Sequence, residues 1–91
     1  VIRGFRHRGL RQLHNGDASR ISAELRAKAE RILDLLNVAT GPRDLDLPGL
    51  CLHALKGDLD GWWAVNVSEN WRIVFRFEDG NALDVDLIDY H

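Results

Sequence analysis

The apolar residues of this 91-residue chain change their spacing at Leu50. Upstream, Leu25, Ala29, Ile32, Leu33, Leu36 and Ala39 recur every three or four positions, the period that gathers side chains on one face of an α-helix. Downstream, apolar and polar residues alternate, as in a strand with one face on a core and the other exposed. Four such runs, 50–55, 62–67, 71–77 and 82–88, follow at close intervals. Their turns are Lys56-Gly57-Asp58 through Gly61, Ser68-Glu69-Asn70 and Glu78-Asp79-Gly80-Asn81. Connections this short cannot carry a parallel crossover, so the runs form an antiparallel meander.

The first half supplies what covers that sheet. Residues 2–5 read as a short strand, and 7–14, with Leu10 and Leu13, as a short helix ended by Asn15-Gly16. Ser22 is the expected N-cap of the main helix, and Thr40-Gly41-Pro42 its stop. Residues 43–49 form a polar connector with its own turn, Leu47-Pro48-Gly49. The expected fold is α+β: an N-terminal strand and two helices packed on a twisted, mainly antiparallel sheet completed by a four-strand meander. Residues 1–91 are expected to form a single domain, since a chain this short supports one modest core.

No apolar run approaches a membrane span and no signal-like segment opens the chain, so a cytoplasmic location without a membrane partner is expected. Cys51, the lone cysteine, has no internal disulfide partner; between Leu50 and Leu52 it reads as a small core residue. A net charge of -2 conceals an asymmetry. Residues 1–31 hold eight Arg or Lys against three acids, a balance of +5, whereas residues 32–91 hold four bases against eleven acids, a balance of -7. The basic half suits an anionic partner such as RNA or an acidic protein surface, and equally a solvated helix face. In the acidic half the only bases are Arg43, Lys56, Arg72 and Arg76.

Residues able to carry chemistry concentrate in that acidic half. Alternation places Cys51, His53 and Leu55 on one strand face, and Lys56-Gly57 follows where the strand turns. In 71–77, Trp71, Ile73, Phe75 and Phe77 form the core face, leaving Arg72, Val74 and Arg76 toward solvent or ligand. The last three residues, Asp89-Tyr90-His91, set a carboxylate, a phenol and an imidazole side by side directly after the final strand run. A solvated tail, a structural strand histidine and edge-protecting arginines are the plain readings of these features. Trp62, Trp63 and Trp71 read as core or lid packing. The spacings contain no Cys pair, no His-x-x-x-His, no Gly-rich phosphate loop and no Gly-x-Ser-x-Gly elbow.

One use unites the set. Cleaving RNA by attack of its own 2′-hydroxyl needs a group to take that proton, a group to protonate the 5′-oxygen and cations for the crowded phosphate. His53, Asp89, Tyr90 and His91 are candidate proton carriers, and Lys56 and Arg72 are candidate cations. Neither metal nor cofactor is needed.

The run LHALKGDLDGWWAVNVSENWRIVFRFEDGNALDVDLIDYH resembles the HigB branch of the RelE/ParE toxins, also called plasmid-maintenance killer proteins. That branch shares a Leu-His-x-Leu-Lys-Gly motif, an Asn-Trp-Arg-Ile strand, a Phe-x-x-Gly-Asp/Asn-Ala turn and a closing Asp-Tyr-His, in this order. The opening Ile-x-x-Phe-x-His-x-Gly-Leu pattern matches as Ile2, Phe5, His7, Gly9 and Leu10. The resemblance implies a small RelE-like fold and a toxin that enters the 70S ribosome. There it would cut mRNA in the aminoacyl site, leaving a cyclic phosphate and a 5′-hydroxyl. It implies contacts with ribosomal RNA and neutralisation by a HigA-like helix-turn-helix antitoxin. Carried onto this chain, the active positions are His53, Lys56, Arg72, Asp89, Tyr90 and His91. His91 is the preferred proton-transfer group, with Asp89 orienting it; Lys56 and Arg72 bind the scissile phosphate, Arg76 is a further RNA-binding candidate, and Asn70 reads a base edge or serves its own turn. His53 and Tyr90 either transfer protons or stack the nucleotide. Two other classes compete: a ParE-like toxin that poisons DNA gyrase without cutting nucleic acid, and a catalytically silent interaction domain.

Overall fold

The structure, a computed structural model, describes residues 1–89. Helix α1 (Arg8–His14) begins at His7, whose Nδ1 accepts the Leu10 N–H at 3.1 Å and satisfies a donor that the first helical turn leaves open. Gly9 makes this cap possible. A Cβ there would come within 2.8 Å of the His7 ring and 3.1 Å of the Ile21 side chain. Helix α2 (Ala23–Val38) starts after Ser22, as its sequence signals, and turns Leu25, Ala29, Ile32, Leu33 and Leu36 inward. Beyond it, the Asp44 carboxylate accepts the Thr40 N–H at 2.9 Å, and a 3-10 turn, Pro42–Leu45, drops Leu45 into the core. The Thr40 N–H beside Asp44 holds its carboxyl below the ordinary value, against a smaller opposing effect of burial.

The sheet consists of β1 (His53–Ala54), β2 (Trp63–Asn66), β3 (Trp71–Glu78) and β4 (Asn81–Asp89), antiparallel and in that spatial order. The meander expected from the short turns is therefore observed. Its helix-facing side buries Val65, Ile73, Phe75 and Val85, with Trp71 and Phe77 packed half-buried at the margin. Phe75 meets Phe77 edge-on with ring centroids 5.8 Å apart, the arrangement that sets one ring's positive edge against the other's negative face.

Four expectations change in detail. The N-terminal strand is reduced to two isolated parallel bridges along β4, Ile2 to Ala82 and Phe5 to Val85. Between them β4 bulges: Val74 pairs with Asp86 but Arg76 with Leu83, so β4 carries one residue more than β3. Asp84 in that bulge has φ 53, a left-handed conformation that Asp tolerates, and the ladder beside it is interrupted.

The run expected as strand 50–55 keeps only two strand residues, because Cys51 is left-handed at φ 51. Leu50 still enters the core, but the turn at Cys51 sends that side chain outward, so Cys51 is exposed rather than a core residue. Val74, expected toward solvent, is only 4% exposed. It pairs with Ala64, and both are short side chains set among larger neighbours on the outer face. Among the described residues no helix is long and apolar enough to cross a membrane.

Candidate functional site

Strand register places His53 and Arg72 on the sheet's outer face. His53 opens β1 opposite Ala64, Asn66 closes β2 opposite Arg72, and Arg72 pairs on its other side with Ile88. With strands about 4.8 Å apart and about 3.3 Å of rise per residue, the His53 and Arg72 Cα atoms lie about 12 Å apart. Two long polar side chains across such a gap can meet one phosphodiester between them.

His53 is exposed, and its Nδ1 lies 2.8 Å from the Cys51 carbonyl oxygen. A carbonyl only accepts, so Nδ1 carries the hydrogen, and in the neutral ring the lone pair is on Nε2. The left-handed turn at Cys51 that shortens β1 also brings this carbonyl back to the ring. Lys56 is exposed three residues on, in extended backbone at φ -128 and ψ 171, at the entry to a 3-10 turn, Gly57–Leu59. Gly57 has φ 71, the left-handed region where glycine carries no Cβ penalty. Among the described residues Lys56 makes no ion pair or side-chain hydrogen bond.

Arg72 Nη1 donates to the Ser68 and Glu69 carbonyls, each at 3.3 Å, so the β2–β3 turn helps orient the guanidinium. Asn70, exposed in that turn, lines a cleft of about 230 Å³ with Glu24, Leu25, Ser68 and Trp71. Asp89 is exposed at the end of β4, opposite Trp71 and one residue beyond the Arg72 partner. Tyr90 and His91 lie outside the described residues. Among the described residues no group of three His, Cys, Asp or Glu is placed to hold a metal ion.

Arg76 stands apart from this group. Its Nε and Nη2 both donate to Asp84 Oδ2, at 2.9 and 2.8 Å, and its guanidinium lies 5.8 Å from the Trp62 ring centroid. Arg6 reaches the same ring at 5.0 Å and approaches the other Asp84 oxygen at 3.9 Å. Sequence reasoning singled out Arg76, read Trp62 as core or lid packing, and missed Arg6 and Asp84. Arg6, Trp62 and Asp84 come from the N-terminal segment, the β1–β2 connection and the β4 bulge, and only folding joins them.

A family model described as the RelE-like toxin of type II toxin-antitoxin system HigB matches residues 3–91. The chain is 36% identical over 92 residues to Endoribonuclease HigB of Proteus vulgaris, with all of both chains covered. It is 30% identical over 83 residues to Toxin HigB-1 of Vibrio cholerae serotype O1, covering 88% of this chain and 87% of that one. A solved YoeB-YefM complex from Staphylococcus aureus shares the fold, with TM-score 0.66 over 100% of this chain and 98% of the other at 13% identity. With the motifs spread from Ile2 to the final strand and the meander they encode, these similarities place the chain in the HigB-like family of RelE-like toxins of type II toxin-antitoxin systems.

Proposed function

We propose that this toxin is a metal-independent, ribosome-dependent endoribonuclease that cuts mRNA in the ribosomal aminoacyl site. The observation that carries the reading is His53, pinned through Nδ1 with Nε2 directed away from that bond, on the same sheet face as Arg72 and just before Lys56. Full-length similarity to an endoribonuclease supports it. A protein that only occupied gyrase would have no chemical use for an oriented imidazole beside two cations, which favours nuclease over the ParE-like reading.

In the proposed reaction a base removes the 2′-hydroxyl proton and that oxygen attacks the adjacent phosphorus. The P–O bond to the 5′-oxygen breaks, an acid supplies its proton, and the products are a 2′,3′-cyclic phosphate and a 5′-hydroxyl. His91 serves as the main proton-transfer group with Asp89 orienting it, and His53 and Tyr90 transfer the second proton or hold the nucleotide. Lys56 and Arg72 bind the phosphate and oppose its growing charge, the latter through the forked geometry of guanidinium. Asn70 reads a base edge from the cleft beside Trp71. Membership of a toxin-antitoxin family implies an antitoxin partner; a HigA-like helix-turn-helix protein fills that role, and the 70S ribosome with its RNA supplies the site of action.

Primer extension on mRNA after induction of the toxin tests the reading. Discrete new 5′ ends are expected with the native chain and none with His91→Ala. Cleavage that persists undiminished in His91→Ala, or growth arrest without any cleavage, defeats it.

A further inference from the structure

The outer face of the sheet carries a second concentration of positive charge that the proposed chemistry does not use. Two guanidiniums, Arg6 and Arg76, flank the ring of Trp62 at 5.0 and 5.8 Å and share the single carboxylate of Asp84. The sharing is unequal. Asp84 takes two short bonds from Arg76, whereas Arg6 Nε stands 3.9 Å away on a side chain that is 59% exposed. Asp84 thus fixes Arg76 and leaves the Arg6 charge largely uncompensated at the surface. The left-handed backbone that the bulge imposes on Asp84 accompanies this arrangement.

The position of the cluster indicates its ligand. Trp62 lies two residues before Ala64, the partner of His53, and shares its face by strand alternation. On β3, Arg72 and Arg76 are four residues apart on that same face, about 13 Å at the usual rise. His53, paired through Ala64 with Val74, falls between their levels. An extended strand of nucleic acid laid along β3 would meet Arg72, pass His53 and reach Arg76 and Arg6 more than one phosphate later. An indole and two guanidiniums are also the flat, cationic surfaces on which single strands settle without regard to sequence.

We infer that Arg6, Arg76 and Trp62 form a second RNA subsite, which binds the phosphate backbone of a single strand at a distance from the bond to be cut. This rests on the nuclease reading for its biological use but not for its test. Arg6 supplies the more weakly paired and more exposed charge, Arg76 is positioned by Asp84, and the Trp62 ring lies against both guanidiniums.

The experiment measures binding of the purified toxin to a short fluorescent RNA whose 2′-oxygens are methylated to block cleavage, over a range of salt concentrations. Arg6→Gln is expected to weaken binding severalfold at low salt. It should also reduce the slope of log affinity against log salt by about 0.7, the value for one lost single-strand phosphate contact. Arg6→Lys keeps the charge and should restore the slope. The far-ultraviolet dichroism of each variant reports the fold. An unchanged slope in folded Arg6→Gln overturns the inference, as does no binding by the native chain at low salt. Failure of the nuclease reading looks different: a reduced slope in Arg6→Gln together with no mRNA cleavage by the native toxin would leave an RNA-binding face without that chemistry.

Discussion

The hairpin of β3 and β4 and the short β1 edge belong to one sheet but are built to opposite specifications. The hairpin strands run eight and nine residues and bury Ile73, Val74, Phe75, Ala82 and Val85. β1 has two residues, both exposed, and lies between a left-handed cysteine and a left-handed glycine. Yet β1 and its turn carry His53 and Lys56, while the hairpin contributes Arg72 at its margin. The burial that sustains the fold and the exposure that the proposed RNA site requires are thus separated by a single strand, β2. The proposed reactive side chain can sit on a minimal strand because His53 pairs with Ala64, whose own register against β3 fixes the location.

Mutations that act on one side alone would sharpen this contrast. Phe75→Ala should cost about 3–5 kcal/mol by leaving a cavity at the centre of the hairpin face, measured as a shift of the denaturant midpoint. If it cost less than a surface substitution, the hairpin would not be the scaffold. His53→Ala should act in the opposite sense, lowering mRNA cleavage about 10²–10⁴-fold while stability stays within about 0.5 kcal/mol. A large loss of stability would show that β1 supports the fold after all. Gly9→Ala should destabilise by about 1–3 kcal/mol, because the added methyl meets the capping ring of His7 and the side chain of Ile21.

Cys51→Gly should raise stability by about 1 kcal/mol or less, the relief of a left-handed non-glycine offset by the extra freedom of glycine when unfolded. A fall in melting temperature would mean the cysteine side chain has a packing role there. Smallest is Asp44→Asn, outside both regions. Because the folded Asp44 carboxyl is held below its ordinary value, its contribution is present above the unfolded value and disappears as pH falls through the folded one. The native chain should be slightly more stable than Asp44→Asn at neutral pH, with the difference closing in acid.

Much of this design is legible in the sequence because it depends on local periodicity. Leu25, Ala29, Ile32, Leu33, Leu36 and Ala39 are all buried as their spacing requires. The opening pattern also acquires physical meaning: Ile2 and Phe5 bridge to β4, His7 caps α1, Gly9 admits that cap, and Leu10 enters the core. What could not be read is what depends on a single dihedral or on distant pairing. Leu-Cys-Leu-His alternates like any strand, and nothing in those letters signals a left-handed Cys51. Asp84 sits in Leu83-Asp84-Val85-Asp86-Leu87, which alternates without a break, so the bulge, and with it the link between Arg6, Trp62 and Arg76, emerges only from the mismatch between β3 and β4. In the candidate site, His53, Lys56 and Arg72 were visible from type and spacing. The pinning of the imidazole by Cys51 depended on the unforeseen turn.

The bridge from Ile2 to Ala82 also bears on when this toxin can exist. It joins residues eighty positions apart, so its closure entropy must be met before the contact gives any return, and contacts of such long sequence separation form slowly. A chain still being synthesised holds the first half of this pairing long before the second half is made. The strand that completes the sheet is translated after every element it closes against, so a product that stops short of it lacks both the partner strand of Arg72 and the carboxylate that orders Arg76. The topology thereby delays a completed sheet until β4 itself has been read.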